Sequence, residues 1–296
     1  MFENRTALAL VAALACAPMP SVATPLLGEE LASFAVLGAA TVTNTGATTL
    51  GGNLGVSPGS AITGKATITV NGTNAATAGN PSVHEADALA SSAQTQLAAA
   101  RVSLGLLGPG LLQPADLVGL TLEPGVYTVP AGVSNLTGAL TLDGLGNANA
   151  FWVFQVESTL ITSPGAVVNL INTGTGAGVY WNIASSATLD TGTVFLGNLL
   201  ALANVTMNTA ASIACGRALA QVEAVNMDTN TISTGCVGGV AAGSNGLSGG
   251  LVIPDGGGTP VALPFVPTTA VGVAEPTTLL LLGGAVAGVF MRRRAA

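Results

Sequence analysis

The chain has 296 residues, of which 49% are hydrophobic and only 7% are charged, and its formal net charge is −7. This hydrophobic content excludes a disordered chain, and the seven lysines and arginines provide no basic groove for nucleic acid. Forty glycines and few aromatic residues favour thin, regularly stacked β-structure over a doubly wound α/β enzyme.

The N-terminus carries the pattern of an export signal. Arg5 precedes the apolar residues 6–17, and Ser21-Val22-Ala23 is a small-residue cleavage site. The pattern predicts a signal peptide over residues 1–23, with a buried helix as the alternative. Processing at Cys16 as a lipoprotein is disfavoured because the residues before it match the lipid-attachment sequence poorly.

The segment after the signal alternates short strand-like pieces, such as FAVLGAATVTNTG and ATITVNG, with Gly, Asn and Pro. An alanine-rich stretch follows, and we predict one long helix over about residues 83–104. Ser82 and Glu85 have the spacing of a capping box, and Gly105 would end the helix. His84, the single histidine, would then be a solvated or capping residue of the first turn.

Two short motifs repeat along the second half of the chain. The first has a small residue, a threonine and an apolar residue, in residues 140–143, 158–162, 187–191, 205–209 and 225–229. The second precedes it, in residues 154–156, 181–183, 197–201 and 216–220. A period near 18 to 20 residues predicts a β-solenoid whose coils stack their apolar side chains inside.

Strand alternation predicts which side chains of the first motif point inward. They are Leu142, Leu160, Leu189, Met207 and Met227. The neighbouring threonines would point outward. The longer spacing between residues 158–162 and 187–191 requires either an insertion in that coil or an irregular stacking order.

The chain beyond Cys236 loses the period and becomes rich in Gly, Pro and Ser, so we predict a linker over residues 237–273. Residues 274–296 place Glu275 and Pro276 before an apolar run that ends at Arg292, Arg293 and Arg294. This order resembles the exosortase-type (PEP-CTERM) sorting tails of Gram-negative bacteria. The resemblance implies an exosortase-like partner and a secreted or surface-attached protein; a plain C-terminal membrane anchor is the alternative.

Removal of the predicted signal peptide leaves two cysteines, Cys215 and Cys236. An even number of cysteines in an exported protein, which folds in an oxidising compartment, is typical of disulfide pairing. Their separation is close to one coil, so stacking would bring them near bonding range. A disulfide is therefore predicted, and two free buried cysteines are the alternative.

The residues that most enzymes need are scarce in this chain. His84 has no ligand partners at metal-binding spacing, and Arg217 is the only basic residue in the repeat region after the helix. Asp143, Asp190 and Asp228 follow the repeated apolar position and are interpreted as turn residues, with calcium ligation as the alternative. We expect no catalysis, metal or cofactor.

Residues 31–236 resemble the secreted ice-binding (antifreeze) proteins of bacteria and fungi. The resemblance is carried by SFAVLGAATVTNTGATTLGGNLGVSPGSAITG, LTLEPGVYTV and VYWNIASSATLDTGTVFLGNLLALANVTMNTAAS. It implies a mainly β fold, an irregular (discontinuous) right-handed β-solenoid with one long α-helix packed alongside, over residues 24–236. It also implies adsorption to ice, by a monomer, through one flat face that carries Thr-Ala/Gly-x-Thr/Asn patterns.

That pattern is matched in full by Thr45-Gly46-Ala47-Thr48. Three further segments match in part: 191–194, 209–212 and 229–231. The implied ice-binding residues are Thr45, Thr48, Thr191, Thr193, Thr209, Ser212, Thr229 and Thr231. The alternative function is that of a cell-surface structural or adhesive protein, because outward threonines also suit strands that do not bind ice.

Overall fold

The computed structural model describes residues 23–268 except Val133 and Gly256. Apart from Ala23, the predicted signal peptide lies outside the described residues, as does the C-terminal tail of residues 274–296. The described part contains 25 strands, the short helix α1 (Glu29–Ala32), the long helix α2 (Ala88–Gly105) and a 3-10 helix (Lys65–Thr67).

The strands of the first half, up to the residues that follow α2, are β1 (Thr24–Pro25), β2 (Phe34–Gly38), β3 (Thr41–Thr45), β4 (Thr48–Gly51), β5 (Asn53–Val56), β6 (Ala61–Thr63), β7 (Ile68–Val70), β8 (Thr73–Asn74), β9 (Val83–Glu85), β10 (Leu111–Leu112), β11 (Thr121–Leu122) and β12 (Gly125–Val129). Those of the second half are β13 (Ala139–Asn147), β14 (Phe151–Val156), β15 (Leu160–Ile161), β16 (Val167–Thr173), β17 (Gly178–Ile183), β18 (Ala187–Leu189), β19 (Val194–Ala201), β20 (Val205–Met207), β21 (Ser212–Ala220), β22 (Val225–Asp228), β23 (Thr231–Ser233), β24 (Leu251–Ile253) and β25 (Val261–Ala262).

Parallel pairing stacks most of these strands into the three faces of a solenoid. Face A contains β10, β12, β14, β17, the ends of β19 and β21, β2, β5 and β9. Face B contains β11, β13, β16, the beginnings of β19 and β21, β23, β4 and β7. Face C contains β15, β18, β20, β22, β3 and β6. The predicted mainly β solenoid is confirmed.

The stacking order does not follow the sequence. The N-terminal strands β2, β3 and β4 pair with the late strands β21, β22 and β23. Helix α2 then carries the chain from β9, at one end of face A, to β10 at the other. Its 18 residues span about 27 Å, which is between five and six strand spacings of about 4.8 Å. Face A has eight strand spacings between β9 and β10, so α2 covers most of this distance and the residues on either side of it complete the crossing.

The interior is filled in the way that strand alternation predicts. The five side chains that we expected inside are all buried. Deeper in the same core, the rings of Phe154 and Trp181 stack with centroids 3.9 Å apart, and Tyr127 and Phe195 extend this stack on either side.

The second repeated motif is in register as predicted: Phe154 pairs with Trp181, which pairs with Leu199. The first motif is in register for β18, β20 and β22 only. Leu160 pairs with Ala187, two residues away from the predicted alignment, and the intervening chain is one long coil.

Residues 140–143 belong to face B and were wrongly grouped with the strands of face C. The cause is general, because alternation of outward threonine with inward apolar residues suits any face of a solenoid. A further copy on face C, Val42-Thr43-Asn44, was missed because its inward residue is polar.

The helix begins later than predicted. Residues 83–85 form β9 against β5, and His84 therefore lies in a strand, with its Nδ1 2.7 Å from the Asp87 carboxylate. The N-cap is Asp87, which accepts a hydrogen bond from the Ala90 N–H at 2.9 Å. The edge of β5 is available for pairing with residues 83–85, and Asp87 is a good capping residue just after them. Together these outweigh the predicted capping box at Ser82 and Glu85.

We expect Asp87→Ala to lower the free energy of unfolding by about 1 kcal/mol, since the first turn of α2 loses its side-chain cap. Urea unfolding followed by circular dichroism measures the change. Asp87→Asn is the matched control, because an amide oxygen can still accept the Ala90 N–H. Equal stability of the Ala and Asn variants would contradict the assignment of this cap.

The predicted linker is wrong for its described part. Strand β24 pairs with β1 and with β25, and Leu247 and Leu251 are buried. Glycine and proline here serve tight turns in a segment that closes over the solenoid, so composition alone misled. None of the described helices is long and apolar enough to cross a membrane.

Candidate functional site

Face A is covered and cannot present a flat surface over its middle. The buried side of α2 packs on outward residues of face A, among them Val153, Tyr180, Leu200 and Leu219. Arg101 fixes the helix by donating hydrogen bonds to main-chain oxygens of two strand ends on this face. The exposed broad faces are therefore B and C.

Face C has an outward row with both polar and charged neighbours. The row runs in register through Ile161, Thr188, Thr206, Asn226, Thr43 and Thr63. Within it, Thr43 donates a hydrogen bond to Asn226. Asp190 and Asp228 lie beside the row at one edge, and Glu223 lies near the other. These carboxylates lie at the edges of the face and outside the row itself.

The outward row of face B is uncharged. In register order it is Val167, Val194, Ser212, Thr231, Thr49 and Thr69, which we call the face B row. Val194, Thr231 and Thr49 are exposed, and the others are half-buried. The hydroxyls of its three threonines make no side-chain hydrogen bond to another described residue. Both the hydroxyl and the methyl group of each threonine are therefore available to solvent.

The corner where face C turns into face B carries a second set of threonines. Thr45, Thr191, Thr209 and Thr229 are all exposed there. Thr209 and Thr229 both donate hydrogen bonds to the Asp228 carboxylate. Their hydroxyls are thereby fixed, and only their methyl groups remain free. This corner borders the face B row along its length.

Two of the implied ice-binding residues are wrong, because Thr48 and Thr193 are buried. The Thr48 hydroxyl donates to Asn44 at 2.7 Å and accepts from the Asn230 N–H at 3.0 Å, while that of Thr193 bonds Thr162 at 2.8 Å. These hydroxyls satisfy polar groups enclosed by the turning backbone. Thr48 and Thr193 thus stabilise the corner from inside.

The outward residues missed from the sequence are Thr49 and Thr69. A usable signal existed: Leu50 and Val70 are apolar, so strand alternation places the residue before each of them outside. Of the other implied residues, Ser212 and Thr231 lie in the face B row, and Thr45, Thr191, Thr209 and Thr229 lie on the corner. Whether they contact ice remains a proposal.

Two of the three repeated aspartates hold turns, and the third, Asp228, accepts hydrogen bonds from the hydroxyls of Thr209 and Thr229. Asp143 accepts the Leu145 N–H at 2.9 Å, and Asp190 accepts the Thr191 N–H at 2.7 Å. Hydrogen bonds to its charged form, first from the Asn208 side chain and then from this N–H, hold the pKa of Asp190 below its ordinary value. Among residues 23–268, apart from the two that are not described, no group of three His, Cys, Asp or Glu could hold a metal.

Cys215 and Cys236 are joined in a disulfide with Cα atoms 4.7 Å apart. It ties the segment after β23 to β21, beside face B. Because both cysteines are nearly inaccessible to solvent, this closure is part of the folded core.

We expect Cys236→Ala to lower the free energy of unfolding by about 3 kcal/mol, as closing a loop of this length restricts the unfolded chain. Denaturant unfolding with and without dithiothreitol measures it. Reductant should destabilise the parent protein and leave the variant unchanged. Two free thiols in peptides of the non-reduced parent protein would refute the pairing.

Comparison with known proteins agrees with this architecture. The family model described as Ice-binding-like matches residues 36–233. An ice-binding protein of Nostoc sp. (strain HG1) is 47% identical over 205 residues, which are 69% of this chain and 72% of that protein. One of Flavobacterium frigoris (strain PS1) is 30% identical over 68% of this chain and 74% of its own length.

Two solved structures are similar in fold. An ice-binding protein from an Antarctic biological consortium has a TM-score of 0.62 and 36% identity, covering 73% of this chain and 93% of that one. An ice-binding protein of Antarctomyces psychrotrophicus has a TM-score of 0.63 and 33% identity, covering 72% of this chain and 98% of that one.

Proposed function

Since the chain belongs to the Ice-binding-like family, we propose that it is an antifreeze or recrystallisation-inhibiting protein that adsorbs to ice through face B. The observation that carries the choice of face is its exposed, uncharged row: Val194, Thr231 and Thr49 are exposed there, whereas only Thr63 is exposed in the row of face C. Face A is covered by α2, and in the row of face C the hydroxyl of Thr43 is bound to Asn226.

The mechanism follows from the spacing of the strands. Neighbouring strands lie about 4.8 Å apart, close to the repeat of oxygen atoms in planes of ice. Threonine methyl groups on consecutive strands order the adjacent water, and the hydroxyls anchor it. A charge on this surface would orient water differently, so the absence of charge in the face B row supports adsorption.

The threonines of the corner extend this surface. The hydroxyl of Thr45 makes no side-chain hydrogen bond to another described residue, and Thr191 lies beside the Asp190 carboxylate. Thr209 and Thr229 contribute methyl groups, because their hydroxyls are held by Asp228. We propose that the site comprises the face B row and these four residues. Thr231 and Thr49 are its centre, where two threonines pair across adjacent strands.

Thermal hysteresis and the shape of growing ice crystals test this function. The protein should be residues 24–268, because the closing segment that follows Cys236 packs on the solenoid. We expect a freezing-point gap and faceted crystals. No effect on ice growth by the folded protein would favour the alternative, a surface spacer or adhesive protein.

The ends of the chain support a proposal on location. The apolar N-terminus with Ser21-Val22-Ala23, together with the Glu275-Pro276 tail, favours export followed by tethering or by processing with an exosortase-like enzyme of a Gram-negative cell. Cell fractionation of the full chain and of a chain ending at residue 274 tests this. Both chains remaining in the cytoplasm would refute it.

A further inference from the structure

A largely apolar surface lies where the described chain ends, with the Asp143 carboxylate beside it, since Asp143 pairs with Ile171 and accepts the Leu145 N–H. It consists of Leu145, Ile171, Phe265 and Val266, which we call the exit patch. All four side chains are exposed, Phe265 to 63% and Leu145 to 56%. Exposed clusters of large apolar side chains mark sites of contact with a protein or a membrane.

The exit patch is held in place by the backbone. The Val266 N–H donates to Asn147 Oδ1 at 3.1 Å, and the Ala148 N–H donates to the Val266 carbonyl at 2.6 Å. The segment of Phe265 and Val266 is thus fixed against the turn between β13 and β14. Its exposed apolar side chains belong to an ordered surface.

The C-terminal tail starts at this patch. The Thr268 N–H donates to the Gly146 carbonyl at 2.9 Å. In the sequence, residues 269–278 then lead to an apolar run, residues 279–291, which is followed by three arginines. An apolar run followed by arginines is typical of a segment that enters a bilayer. Ten residues reach about 35 Å at most, so a tail in the bilayer would keep the patch close to lipid.

We propose that the exit patch rests on the surface of the lipid bilayer that holds the C-terminal tail, and so orients the solenoid. This inference rests on the proposed membrane tether and is independent of ice binding. Phe, Leu, Ile and Val are side chains that enter the boundary between headgroups and acyl chains. The tether supplies the high local concentration that a small patch needs.

The exit patch lies at one end of face B, and the threonines of the face B row lie towards the other end. Ile171 lies in β16 and Thr49 in β4, which are four strands apart on face B. At about 4.8 Å per strand, the separation is about 19 Å. The threonine-rich end of the face B row is therefore at the end of the solenoid away from the bilayer.

Tryptophan fluorescence in vesicles tests the contact. Trp152 and Trp181 are fully buried and provide a constant background. The full chain with Phe265→Trp is reconstituted into phosphatidylcholine vesicles that contain brominated acyl chains. The matched control is Thr63→Trp, an exposed position at the opposite end of the solenoid. We expect the emission added at position 265 to be mostly quenched and shifted to shorter wavelength, and that added at position 63 to be unchanged.

The possible results distinguish a failure of the exit-patch contact from a failure of the membrane tether. Flotation of the full chain with vesicles, without quenching at position 265, would overturn the exit patch and leave the tether intact. Equal quenching at both positions would overturn the orientation. Failure of the full chain to float would overturn the proposal together with the tether, while thermal hysteresis would still report ice binding. Removal of residues 269–296 from the Phe265→Trp chain should abolish the quenching.

Discussion

Thr231→Tyr should abolish most of the activity on ice while the protein stays folded. Thr231 is exposed at the centre of the face B row, paired with Ser212 on one side and Thr49 on the other. A phenol ring there would stand above the row and hold the neighbouring threonines away from a rigid lattice. We expect thermal hysteresis to fall to a small fraction of that of the parent protein.

The matched control for this variant is Thr206→Tyr. Thr206 is an outward threonine of a parallel strand on face C, so the same change is made on the same solenoid and only the face differs. Both variants should unfold within about 0.5 kcal/mol of the parent protein, as expected for side chains on the outer surface of the solenoid. Equal loss of thermal hysteresis in both, or loss only in Thr206→Tyr, would refute the assignment to face B.

Substitutions at the corner should reduce thermal hysteresis to an intermediate extent. Thr191→Tyr and Thr209→Tyr place the ring at the border of the face B row, where a lattice plane could still contact the rest of the row. We expect a smaller loss of thermal hysteresis than for Thr231→Tyr. If these variants lose more activity than Thr231→Tyr, the corner is the centre of the site.

Arg217→Leu should cause the largest loss of stability from a single polar residue. The Arg217 side chain is fully buried with no carboxylate partner among the described residues. Its guanidinium donates to Asn198 Oδ1 at 2.7 Å, to the Gly246 carbonyl at 3.2 Å and to the Ala32 carbonyl at 2.5 Å. One side chain thus joins β21, the end of α1 and the closing segment.

Leucine would leave those three oxygens buried without a donor, each at a cost of about 1–3 kcal/mol. We expect the free energy of unfolding to fall by about 4 kcal/mol and the Tm by about 10 °C. Burial lowers the pKa of Arg217 to about 10, so the side chain is still charged at neutral pH and its hydrogen bonds are charge-assisted.

Arg101→Leu is the control for this effect. Arg101 also donates to main-chain oxygens, yet it is only half-buried, so water can replace the lost donor. Its loss should be clearly smaller. Scanning calorimetry of both variants measures the difference, and an Arg217→Leu protein as stable as Arg101→Leu would refute the role of Arg217 as a buried link between segments.

Local patterns of the sequence determined the type of fold. Alternation of apolar and polar residues placed Leu189, Met207 and Met227 inside, because successive side chains of a strand point to opposite sides wherever the strand lies. The period of the repeats indicated stacked coils. The separation of Cys215 and Cys236 by about one coil was likewise enough to expect the disulfide.

Only the tertiary structure decided which strands are neighbours and which surface is free. Alternation is the same on every face, so it could not assign residues 140–143 to face B. The cover of α2 over face A and the pairing of β2 with β21 depend on contacts between residues far apart in the chain. A one-residue change of register exchanges inside for outside, and such registers are fixed by long-range packing.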